Sequence, residues 1–245
     1  MPPLENPPIF VVGHPRSGTT WLTRLLGEHP RLASGGETHL FNLYLEKLLR
    51  ERERWLDDWV DEETLRGLIR DLAAGVFRAA LEKRGKVRVV EKTPTHRYWI
   101  AEIDALFPGA LFVHSVRDGR DVTLSLLRRR SSSRETWIPR TTAGCARAWR
   151  ESVELLRREG ERLGPERMIE VRYETLVREP RAELGRLLRF LGEEVPDSEI
   201  ERILAVHPPR TKSLEKWRRA MSPWARRRFR SAAGATLESL GYPLR

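Results

Sequence analysis

VVGHPRSGTTWLTRLL, residues 11–26, carries an apolar run into two glycines, Gly13 and Gly18, five positions apart. Trp21, Leu22, Leu25 and Leu26 then recur at helical spacing. This is a strand, a loop and a helix in the glycine frame GxxxxGK[ST] of phosphate-binding loops. Backbone N–H groups at such a helix N-terminus converge on an anion, and glycine lets the backbone come close. The usual lysine is missing, because Thr19 stands in its place. Arg16 supplies a cation instead, with a fork that bridges two oxygens better than a point charge. Losing the lysine argues against ordinary ATP or GTP hydrolysis.

Outward from the loop, strands and helices alternate. PIFVVG (8–13) reads as a buried strand, and RLASGGETHLF (31–41) as a short strand, a glycine turn and a helix start. Residues 40–83 read as helical, with apolar positions 65, 68, 69, 72, 73, 76 and 77. Further strands are expected at 87–92, 110–116 and 168–173, and helices at 96–106, from about Gly119 to Arg129, at 141–163 and at 179–192, the last ended by Gly192. Residues 128–140 and 206–217 read as loops, and two short helices close the chain. The pattern predicts one α/β domain over 1–245, a three-layer fold with a mostly parallel central sheet flanked by helices. Ligands of such sheets bind at the strand C-terminal ends.

The composition, 40% apolar and 33% charged, suits a globular chain. No apolar run is long enough for an integral membrane segment, and the expected location is cytoplasmic. The single cysteine, Cys145, excludes an intramolecular disulfide and a cysteine-cluster metal site, and the histidines have no metal-ligand spacing. The net charge of +10 favours anionic ligands. Only six of the 45 basic residues are lysine, so composition bias explains part of it.

Several further blocks extend the pattern: GGETHLF (35–41), VVEKTP (89–94), LFVHSVRDGRDVTLSLL (111–127), VRYETLVREP (171–180) and SLEKWRRAMSP (213–223). With PRSGTTWL (15–22), their order and spacing resemble the sulfotransferases that use PAPS, 3′-phosphoadenosine 5′-phosphosulfate. Locally the likeness is to tyrosylprotein sulfotransferases and their bacterial relatives. The resemblance implies a P-loop-like α/β fold and sulfuryl transfer to a hydroxyl or amine, with no required metal and PAP as product. It implies that Arg16, Ser17, Gly18, Thr19, Thr20 and Trp21 hold the 5′-phosphosulfate, and that Arg117 and Ser125 hold the 3′-phosphate. Tyr173 and a residue or two in 210–217, such as Lys216, complete the nucleotide site in this resemblance. Glu37 is the implied general base, and Lys92 steadies the transferring group together with Arg16. His39 departs from the family, whose tyrosine-sulfating members carry arginine there. It stands as a second candidate base.

The residue chemistry is compatible with these roles. Arg117 ends an apolar strand at the ligand-binding edge, and Asp118 can cap the helix that follows. A glutamate with pKa ~4.3 is a weak base for an aliphatic alcohol unless burial raises it. Histidine is better matched intrinsically, which keeps His39 beside Glu37. The expected acceptor is a small-molecule, glycan or lipid hydroxyl. Nucleic acid is not an expected partner. Two other readings remain at this point: a P-loop kinase with a shifted cation that uses ATP, Mg²⁺ and Asp118, and a non-enzymatic binder of anionic polymers.

Overall fold

β1 (Ile9–Val12) occupies the middle of the sheet because its four residues are all apolar and bury both faces. In the computed structural model, which describes residues 4–51, 56, 58–133 and 135–244, it is followed by helix α1 (Thr19–Glu28) and β2 (Leu32–Ser34). A π-helical turn (Leu40–Leu45) leads into α2 (Glu46–Arg50). Then come α3 (Glu62–Arg84), β3 (Arg88–Glu91), a 3-10 turn (Pro94–Tyr98), α4 (Ile100–Leu106) and β4 (Leu111–Val116). The chain continues through α5 (Gly119–Ser132), α6 (Thr142–Leu163), β5 (Met168–Arg172), α7 (Tyr173–Arg178), α8 (Pro180–Leu191) and α9 (Asp197–Val206). A 3-10 turn (Thr211–Ser213), α10 (Trp217–Ala220) and α11 (Pro223–Ser239) end it.

The sheet order is β2-β3-β1-β4-β5, and every pairing is parallel. Side-chain alternation along β1 splits the core into two layers. Phe10 and Val12 join Phe41, Phe77, Phe112 and Leu156 on one face. Ile9 and Val11 join Leu22, Leu26, Val113 and Leu187 on the other. Helices therefore cover both faces, as the expected three-layer fold requires. A third cluster, around Trp149, Trp217 and Phe229, welds α5 and α6 to the C-terminal helices.

Some element boundaries differ from the sequence expectation. Residues 40–83 are not one helix: the π turn and α2 are separate from α3, and 52–55 and 57 lie outside the described residues. Asp61 starts α3 afresh, its carboxylate accepting from Thr64 N–H at 2.7 Å. The arginine run 128–130 closes α5, which extends three residues past the expected end at Arg129, to Ser132. Cations suit a helix C-terminus, and the Ser131, Ser132 and Ser133 hydroxyls bond back to carbonyls of the last turns. α7 begins at Tyr173, where strand was expected. α9 was not expected: its ten residues bury only Ile200 and Ile203, too weak a periodicity to stand out. Of the final two helices, α11 is long rather than short, with 17 residues.

One polar hub pins the segment after β2 against β3. Glu91, 3% exposed, accepts from Thr38 N–H (3.3 Å), Thr38 Oγ1 (2.9 Å), Thr93 Oγ1 (2.6 Å) and His96 Nδ1 (2.8 Å). The second ring nitrogen of His96 accepts from Phe41 N–H at 3.4 Å. Burial alone pushes the Glu91 carboxyl up, but the His96, Thr93 and Thr38 bonds outweigh it and hold its pKa below the ordinary 4.5. Replacing Glu91 with Leu strands these buried donors and is expected to cost about 3 kcal/mol in urea unfolding at pH 7. Because the folded pKa is depressed, Glu91's contribution is present above about pH 4.5 and lost as pH falls through the folded value. The wild type is thus expected to lose stability below pH 4.5 more steeply than Glu91→Leu. Parallel curves would contradict this.

Candidate functional site

The strand order lays the chemistry out in a row along the C-terminal edge. The segment after β2 carries Glu37 and His39, and the end of β3 carries Lys92. The glycine loop follows β1, Arg117 follows β4, and Tyr173 follows β5. The direction of strand addition reverses at β1, so its loop opens at the switch point where such sheets bind ligands.

The loop is fixed by close packing. A Cβ on Gly13 would lie 2.6 Å from the Ser115 carbonyl oxygen, and one on Gly18, at φ 96°, would lie 2.3 Å from Cδ2 of Tyr173. Neither position admits any side chain. Ser17 N–H donates to the His14 carbonyl (3.1 Å), and the Ser17 carbonyl accepts from Ser115 Oγ (2.9 Å). No side chain caps α1; Trp21 N–H turns back to the Gly18 carbonyl (3.0 Å), and the Thr19 and Thr20 amides ahead of it have no acceptor among the described residues. The buried Ser17 hydroxyl is also unpartnered.

On the β4/β5 side lies a cleft of about 770 Å³, lined by Arg16, Arg117, Ser125, Tyr173 and Lys216, five of the residues expected at a nucleotide site. Arg16 Nε donates to Ser125 Oγ at 2.8 Å. Arg117 donates to the Arg16 carbonyl (3.3 Å) and the Ser213 carbonyl (2.7 Å), and stacks 4.5 Å from the Tyr173 ring centre. Its Nε is buried without a partner. Trp149 Nε1 fixes the Arg117 carbonyl (3.2 Å), and Asp118 caps α5 through Arg120 N–H, as expected. Burial first, then Arg129 and Arg117, hold the Arg16 pKa below its ordinary value. Thr19 is buried and Thr20 exposed at the start of α1. Trp21 Nε1 is taken by the His207 carbonyl (3.0 Å), and its ring meets Tyr173 edge-on.

On the β2/β3 side, Lys92 Nζ donates to Glu37 Oε1 at 2.5 Å, and His39 Nε2 lies 3.4 Å from Glu37 Oε2. Lys92 is buried, while Glu37 and His39 are each more than a third exposed. The remaining nitrogen of His39, Nδ1, is buried without a partner. The three residues expected at the reacting end are thus together, but Arg16 is not gathered with them. It belongs to the cleft on the far side of the loop.

Arg210 and Lys212 also line the cleft, within the 210–217 segment expected to complete the site. Sequence reading missed Arg128, Arg129 and Asp121, which line it too. Asp121 had no local signal. Glu91, next to Lys92 in the chain, is the hub described above. Trp217 is 1% exposed and belongs to the core.

Residues 7–197 match the profile of the sulfotransferase family. The chain is 29% identical over 193 residues to a putative protein-tyrosine sulfotransferase of Caenorhabditis briggsae, covering 75% of this chain and 64% of that protein. It spans between 44% and 64% of the length of three such curated relatives. Its fold superposes on the sulfotransferase domain from the curacin biosynthetic pathway with TM-score 0.73 at 22% identity, over 98% of this chain and 99% of that one. Mouse sulfotransferase SULT7A1 complexed with PAP gives TM-score 0.61 at 15% identity, over 94% and 84% of the two chains.

His14, inside the loop, is 4% exposed, and its Nδ1 bonds the Pro15 carbonyl at 2.9 Å. Burial, with Arg97 adding to it, drives its pKa from 6.5 down to about 3. The ring is therefore neutral throughout the working range. Between pH 3 and 6.5 the unfolded chain binds the proton more readily, so this site makes stability rise with pH in that window. Ring NMR signals of His14 are expected not to titrate between pH 5 and 8. A midpoint near 6.5 would contradict the assignment.

Proposed function

The chain belongs to the sulfotransferase family, and we propose that it moves a sulfuryl group from PAPS to a hydroxyl or amine acceptor by in-line displacement, releasing PAP. All 245 residues act as one catalytic domain in this reading. The observation that carries it is the division of the strand edge: one anion-binding loop separates a basic cleft at Arg117 and Ser125 from the Glu37–Lys92 pair.

The residues present fit such a donor. The uncapped first turn of α1 and the unpartnered Ser17 hydroxyl face the loop that Gly13 and Gly18 keep open to a close-approaching anion. Arg117 retains an unpartnered Nε beside Ser125 and Lys216, a ready seat for a 3′-phosphate. When bound, PAPS supplies a sulfuryl group on a phosphate leaving group. Ser17, Gly18, Thr19 and Thr20 grip the phosphosulfate, Arg16 adds its charge from the cleft side, and Trp21 and Tyr173 wall the nucleotide. Lys92, buried against Glu37, places a cation where charge develops on the reacting group. Glu37 Oε2, the oxygen not held by Lys92, takes the acceptor's proton. His39 presents Nε2 to that same oxygen while its other nitrogen is occluded, which favours an orienting part over that of base. Positioning and charge stabilisation supply most of the acceleration, as in phosphoryl transfer.

The acceptor in this reading is a small-molecule, glycan or lipid hydroxyl. His39 stands where the resemblance places arginine in tyrosine-sulfating relatives, so a tyrosyl peptide is the competing acceptor. Among the described residues no helix is long and apolar enough to cross a membrane. A cytoplasmic site of action belongs to the same proposal.

Two outcomes follow. PAP at a hundredfold over its Kd is expected to stabilise the protein by about 2.7 kcal/mol in thermal unfolding, with or without chelator. Arg117→Ala should remove about 1.5–3 kcal/mol of the preference for PAP over AMP. Equal stabilisation by AMP and PAP in the wild type would remove Arg117 from the 3′-phosphate role, and turnover of ATP with Mg²⁺ would favour the kinase reading. Separately, Glu37→Gln is expected to abolish transfer of labelled sulfate to acceptors in a cell extract, with PAP affinity nearly unchanged. Survival of activity there, with loss in His39→Ala, would move the base to His39.

A further inference from the structure

Asp121 is the group in the cleft that the proposed chemistry leaves without a task. It sits in the first turn of α5, its side chain 1% exposed. Oδ1 accepts from Trp217 N–H at 2.9 Å. Oδ2 is buried with no hydrogen-bond partner and lies 3.8 Å from Arg117 Nη2. The residue lines the same cleft as Arg117, Ser125 and Lys216. We propose that Asp121 is a positioning residue of the donor site, tying the segment that bears Lys216 to the arginine cleft and taking up a proton when a 3′-phosphorylated nucleotide binds. This inference rests on the donor assignment above.

The first half follows from the contacts. Trp217 opens α10, and Lys216 immediately precedes it. The Asp121 bond to Trp217 N–H is therefore one residue from a cation of the cleft. Arg120 also holds Trp217, its guanidinium carbon 3.5 Å from the ring centre. Arg117 reaches the same segment through the Ser213 carbonyl. Asp121 and Arg117, four residues apart, thus hold two points of one loop.

The second half follows from charge. Asp118 is already matched by Arg120, and Glu174 on α7 accepts from Asp118 N–H and the Tyr242 hydroxyl. On the C-terminal side, Lys216 lines the cleft while Arg218 and Arg226 stack on Trp217. Among the described residues, Arg117 is the cation with a nitrogen within 4 Å of the Asp121 carboxylate. A phosphate at Arg117 shares that guanidinium and brings a second anion beside Oδ2. Two anions sharing one site disfavour each other's ionised form, so the pKa of the buried Asp121 carboxyl rises. Burial already holds the Asp121 carboxyl above its ordinary value, with Asp118 and Glu174 pushing the same way and Arg117 opposing. One proton from solvent then neutralises Oδ2, which gains an O–H to donate into the cleft. No other bond changes.

The test is calorimetric titration of the full chain with PAP, and with AMP as control, in two buffers of different ionisation enthalpy between pH 6.5 and 8.5. Asp121→Asn keeps a carbonyl for Trp217 N–H and sets a permanent N–H donor where the proton would go. The wild type is expected to take up about half to one proton more per PAP than this variant. The ratio of wild-type to variant PAP affinity should fall about ten- to hundredfold across that pH range, and the AMP ratio should stay level. The variant subtracts the phosphate's own ionisation, which has the opposite sign. Equal proton counts with parallel pH profiles would overturn the proton uptake. For positioning, Asp121→Ala should raise the donor KM more than it lowers kcat, and Asp121→Asn should restore KM. An Asn variant as impaired as Ala at pH 6.5, or neither impaired, would overturn that half. Failure of the wild type to bind PAP at all would instead sink the donor assignment.

Discussion

The contact between the Tyr173 ring and Gly18 governs the rest of the site. A ring packed where a Cβ would stand, 2.3 Å from its Cδ2, leaves no space for any residue but glycine. The Ser115 carbonyl imposes the same condition on Gly13. These two approaches clamp the loop between the ends of β4 and β5. At Gly18 the loop passes into α1, whose first turn has no side-chain cap. The anion binding proposed here would thus be a product of packing between strands, which fixes the loop dipoles before any ligand arrives.

Around that clamp the parallel sheet separates two tasks that must not interfere. Cations on the β4/β5 side are held by carbonyls and an aromatic face: Arg117 by the Arg16 and Ser213 carbonyls and Tyr173, Arg16 by Ser125. The carboxylate nearest Arg117 is that of Asp121, 3.8 Å away, and the Arg117 Nε keeps no partner. On the β2/β3 side Lys92 is matched by Glu37. That pair sits on a segment which Glu91 anchors through Thr38, Thr93 and His96. A buried carboxylate with four donors is stiff, and stiffness at Thr38 fixes its neighbour Glu37.

The sequence told more about elements than about ends. β1, α1, β4 and α6 were legible because continuous apolar runs and strong 3.6-residue periodicity leave few alternatives. Gly192 at φ 67° and Asp118 as a cap were legible from local chemistry alone. The split of 40–83 was not, since a helix period can persist in the sequence while a new cap, Asp61, restarts the helix in space. The weak helix α9 went unseen because it buries only two apolar residues, and tertiary packing rather than propensity holds it.

The sequence by itself determined the glycine frame, the strand-to-helix turn with Arg16, and the strand-end positions of Lys92 and Arg117. Each of these is written in neighbouring residues, and short-range sterics suffice to read it. Only the tertiary structure decided that Arg16 joins Ser125 rather than Lys92, that Glu91 is a buried hub, and that Asp121 faces Arg117 with a free oxygen. The physical reason is separation along the chain: Arg16 and Ser125 lie 109 residues apart, and Asp121 and Trp217 lie 96 apart. No local pattern carries such pairings, because they exist only once the parallel strands have brought their ends to one edge.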